Sequence, residues 1–368
     1  MRRFVAAVAM LGIGAAPAAA QDGLLESCAA APLNVRAGQN PPPAAAMPMI
    51  DEQFEFLCAQ VVNALANVQP SVGIAFSGGN PVLGTATTLG KRVGILPRVS
   101  VSARVNLALA DMPELFDEYA AEISEAAPEL AVAQTKGIPI GSVQGDIALG
   151  LFNGISVGPT LGGIGAIDLL GSVSMVPKVA EVGLTDAITN IGVGARVGIL
   201  RQGLLVPGIS VSAMYRQMDE ITFGDLAAGD PGQFSTDLRT LSLRAIVSKG
   251  ILAFDLAVGA GYDRYTSDIA LGWQIHCETD DCVAAEPSGI DIDGDIAGEL
   301  STAAWNVFGN VALDLLVLNL VGEVGYQKAV DPIDADALRN AGLPDGPLTV
   351  DALNGGRFFG SVGLRLSL

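Results

Sequence analysis

The stretch SVGLRLSL, Ser361–Leu368, closes the sequence. Leu364, Leu366 and Leu368 share one parity, while Ser361, Gly363, Arg365 and Ser367 take the other. A period of two predicts a β-strand with one apolar and one polar face. Two architectures accept such a strand. In a soluble sandwich the apolar face turns to the core. In a transmembrane barrel it turns to lipid, and the polar face lines the lumen.

The opening MRRFVAAVAMLGIGAAPAAAQDG places Arg2 and Arg3 before an apolar run, Phe4–Ala16, and small residues Ala18-Ala19-Ala20 before Gln21. This is the pattern of a Sec signal peptide, residues 1–20, with the mature chain starting at Gln21. It is short for a membrane-spanning helix, and no stop-transfer pattern follows, which argues against an N-terminal anchor. Mean hydropathy is +0.45 and half of the residues are hydrophobic. Yet the most apolar later segment, Val311–Tyr326, is interrupted by Asp314, Asn319 and Glu323. Only helices and closed barrels satisfy their backbone inside a bilayer, so a membrane role for this chain means a barrel. The 45 glycines suit strands and turns better than helices.

The formal charge is −19, which argues against a nucleic-acid partner. Acids gather in Asp111–Glu129, Asp219–Asp237, Glu278–Glu299 and Asp331–Asp351, segments that lack alternation and read as long solvated loops. Cys28, Cys58, Cys277 and Cys282 form an even set suited to disulfides in an exported chain; spacing favours Cys28–Cys58 and Cys277–Cys282, although four cysteines allow three pairings.

Alternation is clearest in RVSVSARVNLALA, where Val99, Val101, Ala103, Val105, Leu107 and Leu109 oppose Ser100, Ser102, Arg104 and Asn106. Similar runs occur at Ser142–Phe152, Gly165–Val176, Ile191–Leu200, Ile209–Met218, Asp237–Ser248, Leu252–Tyr265, Ser301–Leu315, Leu318–Gln327 and Arg357–Leu368. Their lengths match tilted bilayer-crossing strands. Weaker strands are expected at Val72–Ser77 and Val82–Leu89, around the turn signal GGNP, which gives about 12 strands. Connections alternate between short and long, as in barrels with short periplasmic turns and long external loops. The expected architecture is all-β: an antiparallel up-and-down transmembrane β-barrel over residues 70–368. A helical N-terminal extension, residues 21–69, would be periplasmic or a plug; in it Asp51 is a candidate N-cap and Phe54, Leu57, Val61 and Leu65 form one stripe.

At SVGLRLSL the chain resembles the C-terminal β-signal of Gram-negative outer-membrane barrel proteins. Ser361, Gly363, Leu366 and Leu368 match it in place; the terminal residue is usually aromatic and here is leucine. The resemblance covers roughly residues 70–368. It implies recognition by the barrel-assembly machinery and a place among outer-membrane lipid. Aromatic content is only 5%, sparse for a barrel girdle, with Tyr215, Tyr262, Trp305 and Tyr326 as outward candidates.

With faces assigned, the lumen-lining charges are Arg104, Asp146, Asp168, Arg196, Arg216, Arg244, Asp255, Asp314, Glu323 and Arg365. Two readings follow. Opposed basic and acidic walls could orient small polar solutes in an open, porin-like pore. Alternatively, ion pairs could fill a non-conducting barrel with a structural or surface-interaction role. A third reading, by fold analogy, is a plugged transporter of hydrophobic compounds. An acidic amphipathic helix over Asp111–Ala133 could form a constriction or an external loop. Asp291, Asp293 and Asp295 around Gly294 resemble the front of a calcium loop, but Thr302 stands where the twelfth-position glutamate belongs, so at most a weak surface calcium ion is expected and no other cofactor. With His276 as the sole histidine and no Gly-x-Ser-x-Gly segment, the sequence reads as a non-enzyme.

Overall fold

A computed structural model describes residues 34–35, 65–66, 68–90, 97–113, 135–157, 161–177, 187–223, 232–277, 290–315, 317–330 and 356–367. In chain order the strands are β1 (Asn34–Val35), β2 (Val99–Pro113), β3 (Thr135–Phe152), β4 (Ile155–Val157), β5 (Leu161–Ile164), β6 (Ala166–Val176) and β7 (Ile188–Leu200). They continue with β8 (Gly208–Phe223), β9 (Gly232–Ile251), β10 (Phe254–Cys277), β11 (Ile290–Leu315), β12 (Leu318–Ala329) and β13 (Arg357–Ser367). Ten of them, β2, β3 and β6 to β13, pair antiparallel in sequence order, and β13 returns to β2 from Phe359↔Ala108 to Ser367↔Ser100. The sheet is closed, and its C-terminal strand is the closing strand, so the barrel has no free edge to template aggregation. β4 and β5 form a small hairpin between β3 and β6, and β1 adds to β11 at Asn34↔Asp293.

The alternation resolves the choice posed by the last strand. Along β2, Val101, Val105, Leu107 and Leu109 are exposed, while Ser100, Ser102, Arg104 and Asn106 are buried. In β13, Val362 is 63% exposed and Arg365 only 6%. Apolar side chains outside and polar ones inside invert the soluble pattern; the outer face requires lipid. Leu368 lies outside the described residues.

The barrel has ten strands, the count obtained when the two weaker runs are left out, rather than the 12 obtained with them. Val72–Ser77 and Val82–Leu89 are not strands: residues 68–77 are helical, and 85–90 are extended without a ladder partner. Their apolar residues alternate for a few positions only, and they are satisfied inside the barrel rather than in its wall. The described parts of the acidic segments also differ from expectation; Asp331–Asp351 lies outside the described residues. β10 and β11 run to 24 and 26 residues, with the register continuing from Thr266↔Ser301 to Cys277↔Ile290. Lipid demands apolar alternation, but backbone pairing does not, so the ladder outlasts the hydrophobic pattern and projects as a ribbon beyond the barrel rim. DIDGDIAGE is therefore extended strand rather than a turning loop, and among the described residues no group of three His, Cys, Asp or Glu side chains could hold a metal ion.

Short connections, at 201–207, 252–253 and 316–317, share one end of the barrel with 153–165, the start of β2 and the end of β13. The strand ends that lead into the long connections stand at the other end. The acidic helix expected over Asp111–Ala133 falls mostly outside the described residues, as do Cys28, Cys58 and Cys282. Trp305, Tyr326 and Phe358 face outward on adjacent strands, and the rings of Tyr326 and Phe358 meet edge to face at 5.2 Å. Tyr215 is exposed on β8, and Phe152 and Phe254 face outward at the short-turn end, so the girdle is present at both ends but sparse.

This wall makes a direct prediction. Val193, outward near the middle of β7, should not tolerate arginine. Val193→Arg is expected to cost about 2–4 kcal/mol in lipid, read as a lower urea midpoint in vesicles. The neighbouring Ser172→Ala on the lumen face should leave the midpoint within about 1 kcal/mol.

Candidate functional site: a lumen closed by its own chain

The lumen is occupied by residues 68–90. The helix 68–77 ends at Gly78, whose N–H donates to the Ile74 carbonyl at 2.8 Å and whose φ is +59°. That left-handed conformation terminates the helix and suits glycine. A Cβ there would also meet the Arg104 guanidinium at 2.8 Å. The helix carries Ile74, Ala75 and Phe76, each at most 1% exposed, and it is apolar on several faces because protein surrounds it. Gly73 lies against the Tyr265 ring and Gly79 against Phe308.

Apolar patches on the wall receive this segment. Phe76 packs with Val176, Met218, Leu238, Tyr265 and Ala304. Ile74 and Ala86 join Ile246, Phe308 and Phe359, and Leu83 joins Ala312 and Val321. After Gly78 the chain is irregular, with a single turn bond from the Thr85 N–H to the Val82 carbonyl, so most of its backbone polar groups have no ladder or helix to satisfy them. In a closed lumen each such group would cost free energy unless paired.

The lumen charges supply the partners, sorted by sign. Arginines meet carbonyls. Arg104 donates to the Ser77 carbonyl at 2.9 Å and the Asn80 carbonyl at 3.0 Å. Arg244 Nε donates to the Gly79 carbonyl at 2.9 Å, Arg196 to the carbonyls of Thr85 and Thr87, and Arg365 to that of Leu83. Carboxylates meet N–H groups. Glu323 accepts from the amides of Gly79 at 2.8 Å and Asn80 at 2.9 Å, and Asp168 accepts from that of Leu89 at 3.1 Å. The same charges pair with each other: Arg196–Asp168 at 2.7 Å, Arg244–Asp263 at 2.8 Å and Arg104–Asp146 at 3.3 Å. Neutral side chains complete the grip. Asn310 donates to Glu323, Ser142 donates to the Ala75 carbonyl, and Ser248 accepts the Ala86 N–H.

Of the ten lumen charges expected from sequence, Arg104, Asp146, Asp168, Arg196, Arg216, Arg244, Glu323 and Arg365 are buried inside. Asp255 and Asp314 are half-buried at the short-turn end, where Gln202 donates to Asp255 and Asn319 donates to Asp314. Asp263, wholly buried, belongs with them and was missed, although its parity matches Asp255. Asn80 and Asn310 were also missed; uncharged, they carried no comparable signal. Six of the buried charges are drawn into three ion pairs around the threaded backbone, and Glu323 and Arg365 bind that backbone directly. Arg216, buried like the other mid-barrel arginines, donates to the Ser242 hydroxyl and the Met214 sulfur.

At the short-turn end the segment leaves through a tight gap. A Cβ on Gly150 would fall 1.9 Å from the Gly90 carbonyl oxygen, and the Gly150 N–H donates to the Arg98 carbonyl at 2.9 Å. The β4–β5 hairpin lies beneath, with the Arg201 N–H donating to the Gly162 carbonyl at 2.7 Å.

No family model matches the chain, and no curated protein matches it. Solved structures with a similar arrangement are outer-membrane barrels. The outer membrane protease OmpT from Escherichia coli is 9% identical, over 74% of this chain and 96% of its own, with a TM-score of 0.33. The translocator domain of the autotransporter NalP from Neisseria meningitidis is 10% identical, over 88% and 99%, with a TM-score of 0.34. The outer membrane phospholipase A from Escherichia coli is 10% identical, over 74% and 92%, with a TM-score of 0.24. The expectation of a non-enzyme, drawn from absent motifs, is therefore withdrawn: similar barrels include a protease and a phospholipase. At these identities the likeness assigns no activity. What the chain shows in its own right is the class: a closed, lipid-facing antiparallel β-barrel.

Proposed function

We propose that this chain is a Gram-negative outer-membrane barrel held closed by its own residues 68–90. At rest it is a non-conducting scaffold that carries its long loops on the outer face. One observation supports this reading above others: the non-helical segment 78–89 is gripped through its backbone by arginines and carboxylates from opposite sides of the wall. A standing water-filled pore would leave those charges hydrated, whereas Arg104, Arg196, Asp168 and Asp263 are each at most 2% exposed. In this reading residues 1–20 direct export, and Ser361, Gly363, Leu366 and Leu368 are read by the assembly machinery.

A second reading, a gated path for small solutes, draws on the kind of contact that holds the plug. Hydrogen bonds to backbone can be exchanged for water, and a glycine-seated helix can slide out as a unit. One set of recordings separates the two. The full-length protein, taken from the outer-membrane fraction as a heat-modifiable band, is placed in a planar bilayer. The scaffold reading expects a silent baseline at all moderate voltages. Brief discrete openings would favour the gated path, and a steady ohmic current would overturn closure itself.

A further inference from the structure

We propose that the chain enters its own barrel from the loop end, so that the residues preceding the lumenal helix lie on the outer face of the membrane rather than in the periplasm. The inference rests on the orientation given under Proposed function, with long loops outside. Its evidence is the order of contacts down the lumen. Gln69, at the start of the helix, donates to Ser267 at 2.8 Å and accepts from the Thr302 hydroxyl at 2.6 Å. Both partners lie far from the short turns, well along β10 from Phe254 and well before the end of β11 at Leu315. Ten residues later Gly79 and Asn80 reach Glu323, five residues into β12. Leu83 packs on Ala312 and Val321, nearer that end. Ala86 reaches Ser248, beside the β9–β10 turn, and Leu89 reaches Asp168, at the start of β6. The direction is monotonic, from loop end to short-turn end, where the chain turns into β2.

A second anchor lies further back in the chain. Asn34 and Val35 pair with Asp293 and Ile292 of β11. Those residues pair on their other side with Gln274 and Ile275, in the ribbon beyond the rim, since β12 covers β11 only from Ala304 to Leu315. Both anchors therefore stand at the loop end. A detour to the periplasm between them would cross the bilayer twice. The lumen is filled, and the outer wall offers lipid with no backbone partners, so that route is closed. The proposal accordingly has the chain join the two anchors, at Val35 and at the lumenal helix, on the loop side of the membrane. This proposal differs from both sequence expectations for residues 21–69, a periplasmic extension or a plug.

The test places an epitope tag in the full chain between Gly38 and Gln39. Two reference tags accompany it, one between Gly342 and Leu343 in the β12–β13 connection and one between Gly203 and Leu204 in a short turn. Each variant is first checked for the heat-modifiable band. On intact cells the Gly38 tag is expected to give the same antibody signal as on permeabilised cells, like the Gly342 tag; the Gly203 tag should lose its signal on intact cells. A Gly38 tag that behaves like the Gly203 tag overturns the inference while leaving the barrel's orientation standing. If the Gly342 tag is hidden and the Gly203 tag is reached, the orientation itself fails, and the inference with it. Untagged protein gives an independent readout: protease applied to intact cells should release peptides from residues 36–64, and release only after permeabilisation would overturn the proposal.

Discussion

Replacing Arg196 with methionine is expected to destabilise the folded barrel by about 3–5 kcal/mol. Arg196 and Asp168 form an ion pair at 2.7 Å with both side chains inaccessible to solvent. Removing the guanidinium leaves a carboxylate buried with the Leu89 N–H and no cation bonded to it. It also orphans the carbonyls of Thr85 and Thr87, which Arg196 satisfies from above. The measurement is the urea midpoint of the protein in vesicles, followed by its heat-modifiable mobility. A companion variant separates charge from contact. In the double change Arg196→Met with Asp168→Asn, the amide oxygen still accepts from Leu89 and no net charge remains buried. It should recover a substantial part of the loss, because most of the penalty belongs to the stranded charge. A midpoint for Arg196→Met within about 1 kcal/mol of the parent would show that water reaches this pair, and the lumen would then not be sealed at its lower end.

The wall of this barrel was legible in the sequence because lipid imposes a period of two over ten or more residues, and little else does. The closing strand, the inward parity of Arg104 or Glu323 and the outward parity of Leu364 all follow from that constraint. The plug was not legible in the same way. Val72–Ser77 and Val82–Leu89 are short apolar runs, and a period read over six to eight residues cannot separate a strand from a helix encased by protein. A signal did exist, however, on the wall. Met214, Met218, Leu238, Ile246, Phe308, Val321 and Phe359 occupy inward positions among serines, asparagines and arginines. In a water-filled pore such residues would have no partner. Seven of them distributed over five strands indicate a dry, occupied interior, and Gly73 and Gly79 are the positions that let a helix and its exit approach the rings of Tyr265 and Phe308. Reading both faces of each strand, rather than the charges alone, would have filled the lumen from sequence. The ends of β10 and β11 were missed for a complementary reason: above the bilayer the ladder persists by backbone pairing, which leaves no hydropathy pattern to read.

If the helix is seated by glycine, adding a side chain there should unseat it. A Cβ on Gly73 would fall 2.0 Å from Cε1 of Tyr265, and the ring cannot swing away freely, because Gln327 donates to its hydroxyl at 2.7 Å and Phe76 packs against it. Gly73→Val therefore sets the helix against the wall. Overpacking of this kind costs about 1–3 kcal/mol, and valine's branching adds to the strain inside a helix. The wall is continuous and hydrogen-bonded around its circumference, whereas the plug is held by separate contacts, so the plug should yield first. The expected result is discrete conductance steps in planar bilayers where the parent protein is silent, with the heat-modifiable band retained. Tyr265→Ala in the same chain removes the obstructing ring, and the pair Gly73→Val with Tyr265→Ala should return the recording toward silence. That rescue distinguishes a steric seat from general loosening, since Tyr265→Ala alone also removes a buried ring and should not tighten anything. A Gly73→Val protein that remains silent and keeps its parent midpoint would mean that the helix does not bear on Tyr265, and closure would then have to rest on the Arg104, Arg244 and Glu323 grip below it.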